Sequence, residues 1–216
     1  MSVSPIYAIP GLSVDGRIFQ KLSLPLPIKV LEHKKQGDPR VSLREYAHAY
    51  ADQIAHPSPI LLGLSMGGMM VQELAQILPV KKLILLSTLK QGDRIPFMLQ
   101  IARYIPLYQM ARGEWRLKML PYWAPRFGIT DPDEQQLLHA MFASFDDAFR
   151  MWAVASIIQW KPPTISGRFL HLHGSEDHLF PASHIQKAEI MKGNHFMVYQ
   201  EADEVSRRIT QFLAEA

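Results

Sequence analysis

The sequence predicts an α/β protein with a mostly parallel sheet of about six strands and helices on both faces. Two observations lead to this fold class. Short apolar runs alternate with segments in which apolar residues recur at helical spacing, and Gly or Pro residues separate them. The 216 residues, 48% of them hydrophobic, are also enough for one large core. Because right-handed crossovers place helices over both faces of a parallel sheet, we expect one globular unit.

The predicted elements can be taken in chain order. Pro10 ends the first strand, Pro25 and Pro27 precede the second, and Pro79 is expected to end the helix after the third. The predicted strands are 6–9, 28–33, 60–62, 82–87, 168–173 and 188–191. Helices are predicted over about 43–54, 69–78 and 203–213, and the last has an apolar side formed by Val205, Ile209, Phe212 and Leu213.

No strand is predicted between the fourth and the fifth, where 89–163 is expected to be an inserted helical cap. The core of the fold would then comprise 1–88 and 164–216. The interval is rich in aromatic residues and methionines: Phe97, Met98, Tyr104, Tyr108, Met110, Trp115, Met119, Tyr122, Trp123, Phe127, Phe142 and Trp152. We expect most of them to pack within the cap or against the sheet, and the rest to line a pocket. An apolar pocket closed to water favours a substrate with an acyl, alkyl or aromatic group.

The composition excludes several kinds of function. The chain has no cysteine, so a disulfide, a thiolate metal site and a cysteine nucleophile are excluded. Its 23 basic and 20 acidic residues are scattered, which argues against a nucleic-acid partner. The first residues lack the basic start and apolar stretch of a signal peptide, and no uncharged run is long enough for a membrane span. We therefore expect a cytoplasmic protein, and no oligomeric state is predicted.

The stretch Gly63-Leu64-Ser65-Met66-Gly67 lies between an apolar strand and a helical segment. A serine on a sharp strand-to-helix turn has a strained backbone, and small residues two positions to either side leave room for it. Such a turn would project the Ser65 hydroxyl from the sheet and aim the Met66 N–H at a substrate oxyanion. The alternative is a glycine-rich turn without chemistry.

A serine hydroxyl attacks well only when a base takes its proton and a carboxylate orients that base. His195 lies in a loop beyond the last predicted strand, and Asp177 lies just beyond the strand before it. Because the carboxyl ends of parallel strands meet at one edge, both side chains can reach Ser65. Glu176 and Asp93 are alternative acids, since Glu176 adjoins Asp177 and Asp93 follows the fourth predicted strand.

In its chain order of nucleophile, acid and histidine, the sequence resembles the α/β-hydrolase fold enzymes. The resemblance covers nearly the whole chain. Pro10-Gly11-Leu12 looks like their oxyanion loop, and 63–68 and 173–181 look like their nucleophile elbow and acid loop. Many relatives have a histidine where this chain has Pro10, so any support that this histidine gives the oxyanion loop must come from elsewhere.

The resemblance implies a role for five residues. Ser65 would be the nucleophile, His195 the general base and Asp177 the acid that orients it. The backbone N–H groups of Leu12 and Met66 would bind the oxyanion.

The histidines of His171-Leu172-His173, with Asp177-His178 after them, also suggest a metal site. The pattern is similar to the His-x-His-x-Asp-His motif of metallo-β-lactamase-like hydrolases. Its spacing differs by two residues, and a buried strand explains both histidines equally well. We therefore expect no metal, and the serine chemistry requires no cofactor.

Together these observations predict a serine hydrolase that cleaves a carboxylic ester or thioester through an acyl-enzyme intermediate. The acyl or alcohol part of this small-molecule substrate is expected to be apolar, and amide or lactone hydrolysis is a further option. The alternative from another class is a non-catalytic small-molecule-binding or interaction protein on the same scaffold. Such a protein would tolerate loss of Ser65 or His195, and this chain retains both.

Overall fold

Six parallel strands form one sheet within the described residues, in the order β2-β1-β3-β4-β5-β6. The structure is a computed structural model that describes residues 4–102, 104, 113 and 115–215. The strands are β1 Ile6–Ile9, β2 Ile28–Val30, β3 Ile60–Leu64, β4 Lys82–Leu86, β5 Phe169–Gly174 and β6 Glu189–Met191. The predicted α/β fold with a parallel sheet is therefore confirmed.

Three of the α-helices begin at residues that are favoured for this position. Ser42 and Glu45 form a capping box at α1, and Asp131 and Asp146 cap α5 and α6. The α-helices in the described ranges are α1 Leu43–His48, α2 Met66–Leu74, α3 Phe97–Ala102, α4 Trp115–Trp123, α5 Pro132–Ala143, α6 Asp147–Gln159, α7 Met197–Gln200 and α8 Ala202–Ala214. None of these helices has the length and apolar character needed to cross a membrane.

Three predicted elements differ from the structure by three or more residues at an end. α2 starts directly after Ser65 rather than at 69, because this residue reverses the chain with a φ of +53°. It ends at Leu74 rather than 78, since the Gln76 and Ile77 N–H groups donate to carbonyls only three residues back. The predicted helix over 43–54 divides into α1 and a 3₁₀ turn at Ala51–Gln53. The predicted strand 28–33 ends at Val30, which leaves 31–34 free to cross the end of β1.

Alternate residues of the central strands face opposite sides of the sheet. Leu86 belongs to a core cluster that includes Ile209 of α8. Leu85, its neighbour in β4, belongs to a second cluster that includes Met70 of α2. Helices therefore cover both faces, as the alternation of strands and helices predicts.

The interval 89–163 contains α3 to α6 and packs against both clusters. Leu138 and Met141 of α5 belong to the cluster with α8, whereas Phe149 and Trp152 of α6 belong to the cluster with α2. The described helices of the interval therefore share their core with the sheet.

The aromatic residues of this interval are in different environments. Trp152 is buried, and Met119 and Phe142 are partly buried. Phe97, Tyr104 and Tyr122 are 69%, 82% and 67% exposed, whereas most of the group is expected to be buried by packing. Tyr108, Met110 and the side chains of Met98, Trp115, Trp123 and Phe127 lie outside the described residues.

Candidate active site

The carboxyl ends of β1 and β3 lie side by side although β2 separates these strands in the chain. The strand order reverses at this point, and open α/β sheets bind ligands in the crevice at such a reversal. Ile9 at the end of β1 pairs with Gly63 in β3. The loop after β1, residues 10–16, therefore lies beside the turn that carries Ser65.

Ser65 lies on a sharp turn between β3 and α2. Its φ of +53° and ψ of −116° form a backbone conformation that residues with a Cβ rarely adopt. A Cβ on Gly63 would lie 2.3 Å from the Gly67 carbonyl oxygen, and a Cβ on Gly67 would lie 2.1 Å from the Ile9 carbonyl oxygen. Both positions therefore require glycine: Gly63 for clearance within the turn, as predicted from the sequence, and Gly67 for clearance from the end of β1.

The end of β4 stabilises this turn. The Ser65 N–H donates to the Leu86 carbonyl at 2.9 Å, and the Thr88 hydroxyl donates to the Ser65 carbonyl at 2.7 Å. A Cβ on Gly68 would lie 2.6 Å from the Cβ of Thr88, so glycine is needed for α2 to pack this closely. Thr88 therefore fixes the strained residue from the neighbouring strand.

Ser65, His195 and Asp177 form a chain of hydrogen bonds at the same edge of the sheet. His195 Nε2 is 3.1 Å from Ser65 Oγ, and His195 Nδ1 is 2.8 Å from Asp177 Oδ2. Ser65 and Asp177 are only 8% and 2% exposed. A carboxylate that accepts from Nδ1 keeps the imidazole proton on that nitrogen, so the Nε2 lone pair faces the serine hydroxyl.

Asp177 is oriented by its own loop. Its Oδ1 accepts hydrogen bonds from the Leu179 and Phe180 N–H groups at 2.9 and 2.8 Å. Burial alone would raise the pKa of Asp177, but the charge and hydrogen bond of His195, with the Phe180 N–H, hold this pKa below its ordinary value. Asp177 is therefore ionised at neutral pH, and its second oxygen faces His195.

The 10–16 loop approaches Ser65 closely. A Cβ on Gly11 would lie 3.4 Å from the Ser65 Cβ. Leu12 follows Gly11, and Met66 is the first residue of α2, where a backbone N–H has no acceptor within the helix. Within the described part of the chain, neither the Leu12 nor the Met66 N–H donates to a protein group. Each residue therefore retains a backbone donor that no protein acceptor in the described ranges uses.

The chain matches a family model described as the Alpha/beta hydrolase family over residues 27–208. It belongs to the alpha/beta hydrolase family. This membership supports hydrolase activity. None of the curated proteins compared with the chain matches it.

Several solved structures share the fold of this alpha/beta hydrolase. MenH from S. aureus is 20% identical over 99% of this chain and 94% of its own, with a TM-score of 0.71. A thermophilic esterase from Thermogutta terrifontis is 16% identical over 97% and 89%, with a TM-score of 0.72. An epoxide hydrolase from Bacillus megaterium is 13% identical over 99% and 94%, with a TM-score of 0.74. At these identities the likeness shows the fold alone.

The two alternative acids of this alpha/beta hydrolase are placed differently from Asp177. Asp93 Oδ1 lies 3.2 Å from Lys90 Nζ and accepts from the Gln186 N–H at 2.8 Å. Glu176 is exposed. The structure therefore places Asp177, and not Asp93 or Glu176, at His195 Nδ1.

His171 and His173 of β5 donate hydrogen bonds to backbone carbonyls. His171 Nε2 is 3.2 Å from the Thr88 carbonyl, and His173 Nε2 is 2.7 Å from the Phe180 carbonyl. His173 thereby braces the loop that carries Asp177. Across the described ranges there is no group of three side chains suited to holding a metal ion.

Two residues that contact this site were not singled out in the sequence. Thr88 bonds to Ser65, and His33 lies against the 10–16 loop of this alpha/beta hydrolase. Two signals were available: the positions of these residues, with Thr88 just after the predicted strand 82–87 and His33 at the end of the predicted strand 28–33, and the absence of a histidine at Pro10.

A separate cleft of about 870 Å³ lies between the 37–44 segment and α6. The buried Glu73 lines it and accepts from Arg44 Nε at 2.9 Å and Trp160 Nε1 at 2.7 Å. Ser65, His195 and Asp177 do not line this cleft.

Proposed function

We propose that this protein is a serine hydrolase that cleaves a carboxylic ester or thioester through an acyl-enzyme intermediate. One observation supports the proposal most: His195 lies 3.1 Å from Ser65 Oγ and 2.8 Å from Asp177 Oδ2. A hydroxyl, an imidazole and an ionised carboxylate in this order transfer acyl groups on several unrelated folds. Ser65 is the proposed nucleophile, His195 the base and Asp177 the residue that orients it.

In the first half-reaction, Ser65 Oγ attacks the carbonyl carbon of the substrate while His195 Nε2 takes the hydroxyl proton. The negative charge that develops on the carbonyl oxygen is bound by the Leu12 and Met66 N–H groups. The C–O or C–S bond then breaks, and His195 returns its proton to the departing alcohol or thiol. The acyl group stays bound to Ser65 as an ester.

In the second half-reaction, a water molecule takes the place of the departed group. His195 Nε2 removes one proton from this water as its oxygen attacks the acyl carbon. The bond to Ser65 Oγ breaks, the serine recovers the proton from His195, and the carboxylic acid is released.

We further propose that 89–163 is a cap on a core formed by 1–88 and 164–216, and that the cap contacts the apolar acyl or alcohol part of a small-molecule substrate. Packing supports this: Phe149 of α6 shares a core cluster with Met66, which directly follows Ser65. An apolar wall at this position would exclude water and strengthen the hydrogen bonds to the oxyanion. A series of acyl esters and thioesters of increasing chain length would reveal the preference, with an amide and a lactone for comparison.

The first test is covalent labelling with a fluorophosphonate probe, read by intact mass, on the wild type, Ser65→Ala and Ser166→Ala. Ser166 is exposed and serves as the matched serine control. We expect one adduct on the wild type and on Ser166→Ala, and none on Ser65→Ala. Turnover of an ester should fall by about 10⁶-fold in Ser65→Ala, as on loss of a triad nucleophile.

Two results would contradict the proposal. Hydrolysis by Ser65→Ala at the wild-type rate would place the chemistry elsewhere. A folded wild type that takes up no probe and turns over no ester or thioester would favour the non-catalytic binding protein.

A further inference from the structure

The 10–16 loop is held by a residue from the segment that follows the neighbouring strand β2. His33, three residues after β2, directs its Nε2 at two backbone carbonyls of this loop, 3.0 Å from Pro10 O and 3.1 Å from Gly11 O. The Gly11 carbonyl also accepts a longer hydrogen bond of 3.4 Å from the Val14 N–H. His33 therefore supplies the strong contact at the start of the loop.

The protonation of His33 follows from these partners. Carbonyl oxygens only accept, so Nε2 must carry a proton. Nδ1 is shut off from solvent and has no hydrogen-bond partner in the described structure, and burial lowers the pKa of His33 to about 4. At neutral pH the ring is therefore neutral, with its single proton on Nε2.

The Gly11 carbonyl and the Leu12 N–H belong to the same peptide unit. A trans peptide is planar, so its C=O and N–H point in opposite directions. A donor that fixes the direction of the Gly11 carbonyl therefore also fixes the direction of the Leu12 N–H. The same hydrogen bond polarises the peptide, which makes this N–H a better donor.

Aromatic residues on two elements fix the His33 ring. Tyr46 of α1 stacks on it at 6.2 Å between ring centroids, and Phe149 of α6 contacts it at 5.3 Å. The backbone beside His33 is also held, because Tyr46 Oη donates to the Lys34 carbonyl and Tyr50 Oη accepts from the Lys34 N–H. The donor is therefore preorganised on the folded core.

We propose that His33 is a positioning residue that aims the Leu12 N–H at the oxyanion by holding the carbonyls of Pro10 and Gly11. This inference rests on the proposed serine hydrolase function and assigns one further residue to the same site. It also explains how the loop is supported in a chain that has proline where many relatives have histidine. The support comes from the segment after the adjacent strand β2 instead of from within the loop.

The test compares His33→Phe, which keeps an aromatic ring but no donor, with His33→Gln, whose amide keeps an N–H. The exposed His139 on α5 gives the control variant His139→Phe. For an ester substrate, we expect His33→Phe to lower kcat about 10- to 100-fold, less than the loss of a whole oxyanion donor. KM should change little, because the contact acts in the transition state. His33→Gln should recover most of kcat.

A second measurement covers the case in which His33→Phe does not fold. In His33→Ala, added imidazole can enter the vacated space and donate its N–H, whereas neutral 1-methylimidazole has no N–H to donate. We expect imidazole to restore kcat and 1-methylimidazole to leave it low. Equal effects of the two compounds would overturn the inference.

The inference and the proposed function fail in different ways. An inactive Ser65→Ala together with a His33→Phe of unchanged kcat would reject only the role of His33. Equal impairment of His33→Phe and His33→Gln, in proportion to their loss of stability, would show a purely structural role. Full hydrolysis by Ser65→Ala would reject the proposed function itself.

Discussion

Replacing Asp177 by Asn should stop catalysis by reversing one hydrogen bond while preserving shape. In the wild type, Asp177 Oδ1 accepts from two backbone N–H groups, and Oδ2 accepts from His195 Nδ1 at 2.8 Å. An asparagine must keep its oxygen on the two N–H donors, because turning the amide would set its NH₂ group against both. The NH₂ group then faces His195.

The consequence is a change of tautomer. Facing an NH₂ donor, His195 Nδ1 must accept, so the ring proton moves to Nε2. That nitrogen lies 3.1 Å from Ser65 Oγ and can no longer take the serine proton. The corresponding change in a well-studied protease lowers kcat by about 10⁴-fold, or about 5.5 kcal/mol of transition-state stabilisation. We expect a loss of this size in Asp177→Asn.

The assay is ester turnover and fluorophosphonate labelling near neutral pH, with Asp93→Asn as the matched control. Asp93 forms a buried ion pair with Lys90. Its loss should lower the free energy of unfolding by about 3 kcal/mol while leaving kcat of the folded protein unchanged. If Asp177→Asn kept more than about a tenth of kcat, or Asp93→Asn lost as much as Asp177→Asn, the tautomer argument would be wrong.

Two further predictions concern stability. Burial, together with the nearby His173 and Lys90, lowers the pKa of His171 to about 3 in the folded protein. As the pH falls below about 6.5, His171 therefore takes up a proton in the unfolded chain before it does so in the folded protein. His171 should therefore contribute about 2 kcal/mol to the drop in the free energy of unfolding between about pH 7.5 and 5, and urea titrations of His171→Gln should show a shallower pH dependence. Lys82 Nζ is buried and donates to the Phe212 and Leu213 carbonyls at the end of α8 at 2.7 and 2.9 Å. In urea unfolding, Lys82→Met should lower the free energy of unfolding by about 1–3 kcal/mol. Arg168→Met, which breaks only an exposed ion pair, should change it by less than about 1 kcal/mol. Equal losses would contradict the conclusion that Lys82 stabilises the end of α8.

Ser65, Asp177 and His195 could be singled out from the sequence because each lies just beyond a predicted strand. The side chains that follow parallel strands converge at one edge whatever the details of packing. The structure brings these three together, and their catalytic roles stay predictions. The glycines around Ser65 could be interpreted for a similar reason, since steric exclusion at a sharp turn is a local property.

Contacts that join distant parts of the chain could not be predicted. His33 and Pro10 are 23 residues apart, and so are Thr88 and Ser65, and neither pair has a sequence motif. Only the order and register of the strands brings their atoms together. The exposure of Phe97 was missed for a related reason, because residue type predicts burial only on average and packing decides the individual case.

The long separation between Ser65 and His195 has a consequence for folding. These residues are 130 positions apart in the chain, and the hydrogen bond between them requires β3, β5 and β6 to be in place. Contacts between residues this far apart in the chain cost much conformational entropy, so they form after the local helices. A growing polypeptide therefore carries Ser65 as an ordinary unreactive alcohol until the last strand joins the sheet. On the proposed mechanism, labelling of Ser65 by an electrophile would therefore measure the fraction of completely folded molecules.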